Sequence, residues 1–309
     1  MLSRNKVYYF SGTDLGGSSR IPSFMCGVFA HKMSCNLIGV KGMTFRDGSE
    51  TTSMISPGPM TKYATDLEPL LKCLVGVKSK ELGLDRKVNV RKLNVYYIID
   101  PNDHYCSPIR KEMTEALMRA VNHFKNICTV PPQELFFEEL KYCKQMWNYW
   151  MSKEPNKNFL NDINNRAGEV SPVREIIKKI TVGSDFTIGS IMNFVNILSS
   201  NVNGIWVEEI TESLKQKLLA KLDDNSILLY PSAPFTARHH YTTIFHPLNF
   251  NFFSIWNVLK FPATQIPMGL GEKNLPLGIQ IVAKSNQDKL CIVAAIELER
   301  RFGGYVPPF

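Results

Sequence analysis

Between Gly12 and Lys32 the chain reads Gly-Thr-Asp-Leu-Gly-Gly-Ser-Ser-Arg-Ile-Pro-Ser-Phe-Met-Cys-Gly-Val-Phe-Ala-His-Lys. Two adjacent glycines precede Ser18, Asp14 stands four residues before it and Arg20 two after. Paired glycines let the backbone take φ > 0 and approach another group with no Cβ in the way. A run of N–H groups then converges beside the Ser18 hydroxyl. Acyl transfer asks for that pairing, a nucleophile with preorganised donors aimed at the developing oxyanion. A Gly-Gly-Ser-Ser segment is also an ordinary surface turn. The largely apolar run from Ile21 to Phe29 weighs against that reading, because it ties the loop to buried structure.

The remaining pattern alternates strand and helix. Val7 to Phe10 has strand character, and Pro57-Gly58-Pro59 punctuates the chain. Leu67, Leu70, Leu71 and Leu74 then mark a helix, with Thr65 and Glu68 spaced as a capping box. Leu93–Ile99 reads as a buried strand stopped by Asp100-Pro101, and Ser107-Pro108 as the start of a helix that buries Met113, Leu117, Val121 and Phe124. Glu134–Phe137 predicts a strand. Glu138–Lys153 predicts a helix with a stripe of Tyr142, Met146, Trp147 and Trp150, which is core or the wall of an acyl channel. The Asn-rich stretch 154–170 reads as a surface loop, Ser171-Pro172 as a helix start, and Phe186–Leu198 and Glu212–Leu222 as helices. Further strands are expected at Ile227–Tyr230, Ala263–Met268 and Leu277–Ala283, and helices at Phe250–Leu259 and Asp288–Phe302. Such alternation argues for an α/β fold layered around a mixed sheet.

Asp14-Leu15-Gly16-Gly17-Ser18-Ser19-Arg20-Ile21-Pro22, with Phe24 to Phe29 and His31-Lys32 behind it, resembles the amidase signature. Pro57-Gly58-Pro59-Met60 ahead of Ala64-Thr65-Asp66-Leu67, Leu229-Tyr230-Pro231-Ser232 and Leu275-Pro276-Leu277-Gly278-Ile279-Gln280 are similar to the family's later landmarks. The resemblance covers residues 12 to 309 and is strongest to fatty-acid amide hydrolases of the second type. It implies the amidase-signature fold, a mixed twisted β-sheet between helical layers in a single domain over 1–309. It implies Ser18 as nucleophile, an oxyanion hole of the backbone N–H groups of Leu15, Gly16, Gly17 and Ser18, and Asp14 paired with Arg20 to support the loop. The substrate it implies is a small lipid amide or ester, with no cofactor. Ser19 falls where the family carries an aliphatic residue and is read as a spectator. At Met33-Ser34-Cys35-Asn36 the family has a proline and glycine turn; Asn tolerates the left-handed region, so Asn36 stands in for the glycine.

Ser18 needs a base. The six histidines are His31, His104, His123, His239, His240 and His246, and a triad assembled from distant positions stays open on the residues alone. The Gly-x-Ser-x-Gly elbow is absent. The resemblance implies a lysine and a bridging serine upstream of the nucleophile instead, and nothing in residues 1–11 matches them, Lys6 and Ser11 included. The expectation is a C-terminal three-fifths of an amidase, impaired in hydrolysis and without the family's N-terminal membrane segment. A catalytically inactive acyl-amide-binding protein is the alternative. A nucleotide loop ranks last, because the lysine of a phosphate-binding loop is missing and Asp14 would repel phosphate.

The charge balance, 36 Lys and Arg against 28 Asp and Glu, leaves +8. Part of it sits at Lys78, Lys80, Arg86, Lys87, Arg91 and Lys92, interleaved with Glu81 and Asp85, which reads as a solvated face. No nucleic-acid module is present, whereas association with an anionic membrane surface and homodimerisation stay open. Seven cysteines with no Cys-x-x-Cys pair and no secretory signal argue for reduced thiols, no zinc, and an intracellular place, cytoplasmic or peripheral to membranes.

Overall fold

In a computed structural model, residues 9–39, 53–154, 164, 168–187, 189–191 and 203–307 are described. The loop expected over 154–170 and the helix expected over 186–198 lie largely outside them, as does Lys6. One eight-stranded mixed sheet runs in the order β1(Tyr9–Asp14), β3(Ser56–Thr61), β2(Phe29–Lys32), β7(Ala263–Leu270), β8(Pro276–Val282), β6(Ser226–Pro231), β4(Asn94–Tyr97), β5(Gln133–Glu134). All neighbours are antiparallel except β6–β4 and β4–β5. Helices α1(Arg20–Cys26), α2(Leu67–Val75), α3(Lys111–Ile127), α4(Cys143–Ser152), α5(Pro172–Thr181), α6(Gly204–Leu219), α7(Asn251–Val258) and α8(Asp288–Phe302) connect and cover it. This is the α/β architecture that the alternating pattern predicts.

The central strands β2, β6 and most of β7 and β8 are buried on both faces, which is why β6, β7 and β8 read as largely apolar runs without alternation; β2, Phe-Ala-His-Lys, has no such pattern. Helix α3 turns Met113, Ala116, Leu117, Ala120, Val121 and Phe124 onto the core, the period-3.6 stripe seen in the sequence. In α7 every residue is buried, Asn251, Ser254 and Asn257 included. No described helix is long and apolar enough to cross a membrane, and all seven cysteines are free.

Several local expectations are corrected. The strand at the N-terminal edge spans Tyr9–Asp14, so it takes in Gly12 and Thr13, which read as loop. Pro57-Gly58-Pro59 is not a break but the middle of β3. Proline has no N–H for a ladder, and β3 pairs with β2 only at Met60 and Thr61, beyond the two prolines. The Thr65–Glu68 capping box does not form; a 3₁₀ turn over Ala64–Asp66 leads into α2, and Ala64 N–H donates to Glu299 Oε2 at 3.0 Å. Ser107 caps nothing, because α3 begins four residues later and the Ser107 hydroxyl pairs with His246 Nδ1 at 3.0 Å. The strand at 134–137 shrinks to Gln133–Glu134, and the helix behind it opens as a 3₁₀ turn over Glu138–Tyr142. Asn36 does adopt φ 67°, the conformation expected for a stand-in glycine.

Candidate active site

Strand β1 delivers Asp14 into the interior, and the chain then turns through Leu15–Ser19 into α1. Gly17 has φ +112°, and a Cβ there would lie 2.7 Å from Phe253 Cβ and 2.8 Å from Ile21 Cδ1, so the turn needs glycine on both conformational and steric grounds. Gly16 lies under the Trp147 indole, 2.7 Å from where its own Cβ would stand. Trp147 in turn meets Phe250 edge-on at 5.3 Å between ring centroids. One member of the aromatic stripe of α4 is thus a roof over the glycine loop.

A buried polar network holds this turn. Asp14 and Arg20 are fully buried and paired through Nε–Oδ2 and Nη2–Oδ1, both 3.0 Å. Asp14 also accepts from Gly17 N–H at 2.7 Å, Ser19 Oγ at 2.8 Å and Asn257 Nδ2 at 3.1 Å. Arg20 donates onward to Gln280 Oε1 and Asn257 Oδ1, both 2.7 Å. Gln280 donates to the Pro231 and Phe252 carbonyls, so β8, β6 and α7 all anchor the loop. Every charged oxygen and guanidinium nitrogen in the pair has a partner, the condition under which burying two charges is tolerable. Burial pushes the Asp14 carboxyl up, but Arg20, with Lys32 and the Ser19 hydroxyl, outweighs burial and holds it well below the usual carboxylate range. The unfolded chain therefore binds that proton more readily than the folded one. The contribution to stability is complete well above the ordinary value of 3.8 and is lost as pH falls through and below it. Acid titration of wild type against Asp14→Asn is expected to show a steeper loss of stability below pH about 4 in wild type. Parallel acid limbs would remove Asp14 from the account.

Ser19, expected to be a spectator, therefore belongs to the network through both its hydroxyl and its N–H. Ser18 is exposed and makes no hydrogen bond to any described residue. The N–H groups of Leu15, Gly16 and Ser18 are likewise unengaged among the described residues, whereas that of Gly17 is spent on Asp14. Three of the four amides named for the oxyanion hole are thus available as donors, and Gly17 serves the turn.

No described base reaches Ser18. His31 is buried with Nδ1 on Thr264 Oγ1 at 2.7 Å and Nε2 on Asp288 Oδ1 at 3.0 Å. Lys32 donates to the Phe261 carbonyl at 2.8 Å, and burial pushes its ammonium below the ordinary lysine range. His246 pairs with Ser107, and His123 with Glu297 at 2.9 Å. The exposed Ser11 lies on edge strand β1. Asp288 also accepts from the Ser34 hydroxyl and N–H, at 2.5 and 2.8 Å, which fastens the start of α8 to the end of β2. Asp288→Ala is expected to cost about 3 kcal/mol in urea unfolding, because three buried donors lose their acceptor at once. A cost under about 1 kcal/mol would show that the cluster is incidental.

One turn beyond Ser18, Ile21, Phe24 and Met25 form a wall of an apolar cleft of about 770 Å³. Phe253, Phe250, Phe235, Tyr241, Ile244 and His246 also line it. Ser18 is not itself among the lining residues. Sequence reasoning missed Asn257, and quoted Gln280 without a role. The available signal was one polar residue inside an apolar helix and another inside an apolar strand. No described group of His, Cys, Asp and Glu is arranged to hold a metal ion.

Comparison with known proteins fits this geometry. Residues 2–292 match the amidase family model. The chain is 34% identical over 304 residues to fatty-acid amide hydrolase 2-A of Danio rerio, covering 96% of this chain and 57% of that protein. It is 34% identical over 307 residues to fatty-acid amide hydrolase 2 of Homo sapiens, covering 96% and 58%. It therefore spans less than two thirds of the length of these curated relatives. Among solved structures, a bacterial aryl acylamidase of the amidase signature family superposes with a TM-score of 0.71 at 14% identity, over 97% of this chain and 63% of that one. The glycine-serine turn with its buried Asp–Arg pair lies within a family match that runs over residues 2–292 and a relative 34% identical over 96% of the chain, and this chain belongs to the amidase family.

Proposed function

We propose that this chain carries the acyl-transfer half of a fatty-acid amide hydrolase. Ser18 attacks the amide carbonyl, the N–H groups of Leu15, Gly16 and Ser18 receive the oxyanion, and the apolar cleft takes the alkyl chain. The observation that carries the reading is an exposed hydroxyl beside unengaged amides, on a turn that the Asp14–Arg20 network fixes, one helical turn from an apolar cleft. Preorganised donors of this kind stabilise charge as it develops, and each is worth about 3–4 kcal/mol of barrier. Similarity to fatty-acid amide hydrolases supports a lipid amide as substrate. The absence of a base among the described residues within reach of Ser18 sets the expected rate low, since a neutral serine is a weak nucleophile.

A fluorophosphonate probe tests this, because it reacts at an activated serine. Slow labelling of the purified chain, abolished in Ser18→Ala, is the expected result. Labelling that persists in Ser18→Ala would put the nucleophile elsewhere. The second reading, an inactive acyl-amide-binding protein, is favoured by the unpaired Ser18 hydroxyl. It predicts no labelling at any time, with saturable oleamide binding unchanged in Ser18→Ala.

A further inference from the structure

Beside the apolar cleft lies a second one of about 410 Å³, and the two share Phe235, Thr236 and Arg238. Its other lining includes Arg110, His239 and Lys273, and no acidic residue. Elsewhere on the surface cations stand against carboxylates, as in Lys72 with Glu68 and Asp85, Lys178 with Glu175, and Lys284 with Asp224. Arg110 and Arg238 have no such partner among the described residues. Both flank the Phe235 ring instead, their guanidinium carbons 5.8 and 4.8 Å from its centroid. Glu112 and Glu272, joined where Glu112 Oε2 accepts the Glu272 N–H at 3.1 Å, do not line the cleft. Gathering like charges at one concavity is unfavourable unless an anion or salt screens them. Thr236, only 7% exposed, lines both clefts and so sits where they meet, and its hydroxyl, which makes no hydrogen bond to a described residue, is free to donate to a ligand oxygen.

We propose that the two clefts together bind a long-chain carboxylate, with the alkyl chain in the apolar cleft and the carboxylate on Arg110, Arg238 and the Thr236 hydroxyl. The chain end of this assignment rests on the acyl reading of the apolar cleft. The carboxylate end does not involve Ser18. Guanidinium forks match carboxylate geometry, and both guanidinium groups lie within cation–π distance of the Phe235 ring. In the context of amide hydrolysis the site would retain the fatty-acid product, so that product slows turnover.

Isothermal titration of the full chain, below micellar concentration, compares oleate with oleyl alcohol, which has the same chain and no charge, and with acetate, which has the charge and no chain. Oleate is expected to bind about tenfold more tightly than oleyl alcohol at low salt, and the difference to shrink as salt rises. Acetate is expected not to bind measurably. In Arg110→Gln/Arg238→Gln the preference for oleate is expected to vanish, while an unchanged oleyl alcohol affinity shows that the fold survives. Equal binding of oleate and oleyl alcohol overturns the proposal, as does acetate binding as tight as that of oleate, no binding of either chain, or a preference for oleate that persists in the variant. None of these outcomes bears on labelling of Ser18, so the nucleophile and the carboxylate site stand or fall separately.

Discussion

Arg20→Met is expected to unfold most of the protein under conditions where wild type is native. The substitution keeps the length and apolar stem of the side chain but removes the only cation among the described residues that touches Asp14. Asp14 would remain fully buried, with its oxygens still holding Gly17 N–H, Ser19 and Asn257, and no positive partner. Losing one member of a buried pair costs about 3–5 kcal/mol, because the other is left as an uncompensated charge. Domain stabilities run at about 5–15 kcal/mol, so the loss removes a large share of the total. Two further acceptors, Gln280 Oε1 and Asn257 Oδ1, lose their donors in the same step. Arg20→Lys recovers the charge but cannot reach Asp14, Asn257 and Gln280 from one planar group, so it should fall between. Urea unfolding followed by tryptophan fluorescence reads the series. A midpoint for Arg20→Met within error of wild type would mean that the network is ornamental and the turn is held by packing alone. The double variant Asp14→Asn/Arg20→Met should recover part of the loss, since it removes the buried charge along with its partner.

How much of this could be read in advance follows from what each residue competes against. Helix α8 was legible to the residue, because its apolar period and its Gly303 stop agree. Strands β6, β7 and β8 showed as apolar runs bounded by turn residues. What misled was local chemistry overruled by tertiary contacts. The sequence Pro57-Gly58-Pro59 has every mark of a turn, yet it sits in the sheet, paired with Thr13, Gly12 and Ser11 of β1, at positions where the ladder to β2 has lapsed although the two backbones stay close. Ser107-Pro108 looks like a helix start, but Ser107 finds a better partner in His246, 139 residues away. At the site, the glycine-serine turn and its flanking acid and arginine were visible because they are close in sequence. Asn257, Gln280 and Trp147 come from other elements, and only folding brings them to the turn. Polar residues inside apolar segments carry the information that something must satisfy them, without saying what.

The proline-flanked glycine of β3 carries the second large effect. In Gly58→Ala the new methyl would lie 1.7 Å from the His31 carbonyl oxygen and 2.9 Å from its carbon. The obstacle is backbone, which cannot rotate away as a side chain can. Strand β3 is sandwiched between β1, with which it pairs from Tyr9 to Asp14, and β2, which carries His31 and Lys32. Relief requires β3 to move away from β2, and that motion also drags β1 and with it Asp14. Overpacking of rigid surroundings costs about 1–3 kcal/mol and more when backbone must shift, so a loss at or above about 3 kcal/mol is expected. Gly39→Ala provides the control: no described residue lies within 4 Å of its added methyl, and a change within about 0.5 kcal/mol is expected there. With Ser18 as nucleophile, Gly58→Ala should also slow labelling of that serine more than its stability loss alone explains, measured at a temperature where the variant is still folded. The path runs from His31 through β3 and β1 to Asp14, which fixes Gly17 and so the amides beside the serine. Equal unfolding midpoints for Gly58→Ala and Gly39→Ala would show that β2 and β3 are not in close backbone contact, and the link between the sheet edge and the serine turn would go with it.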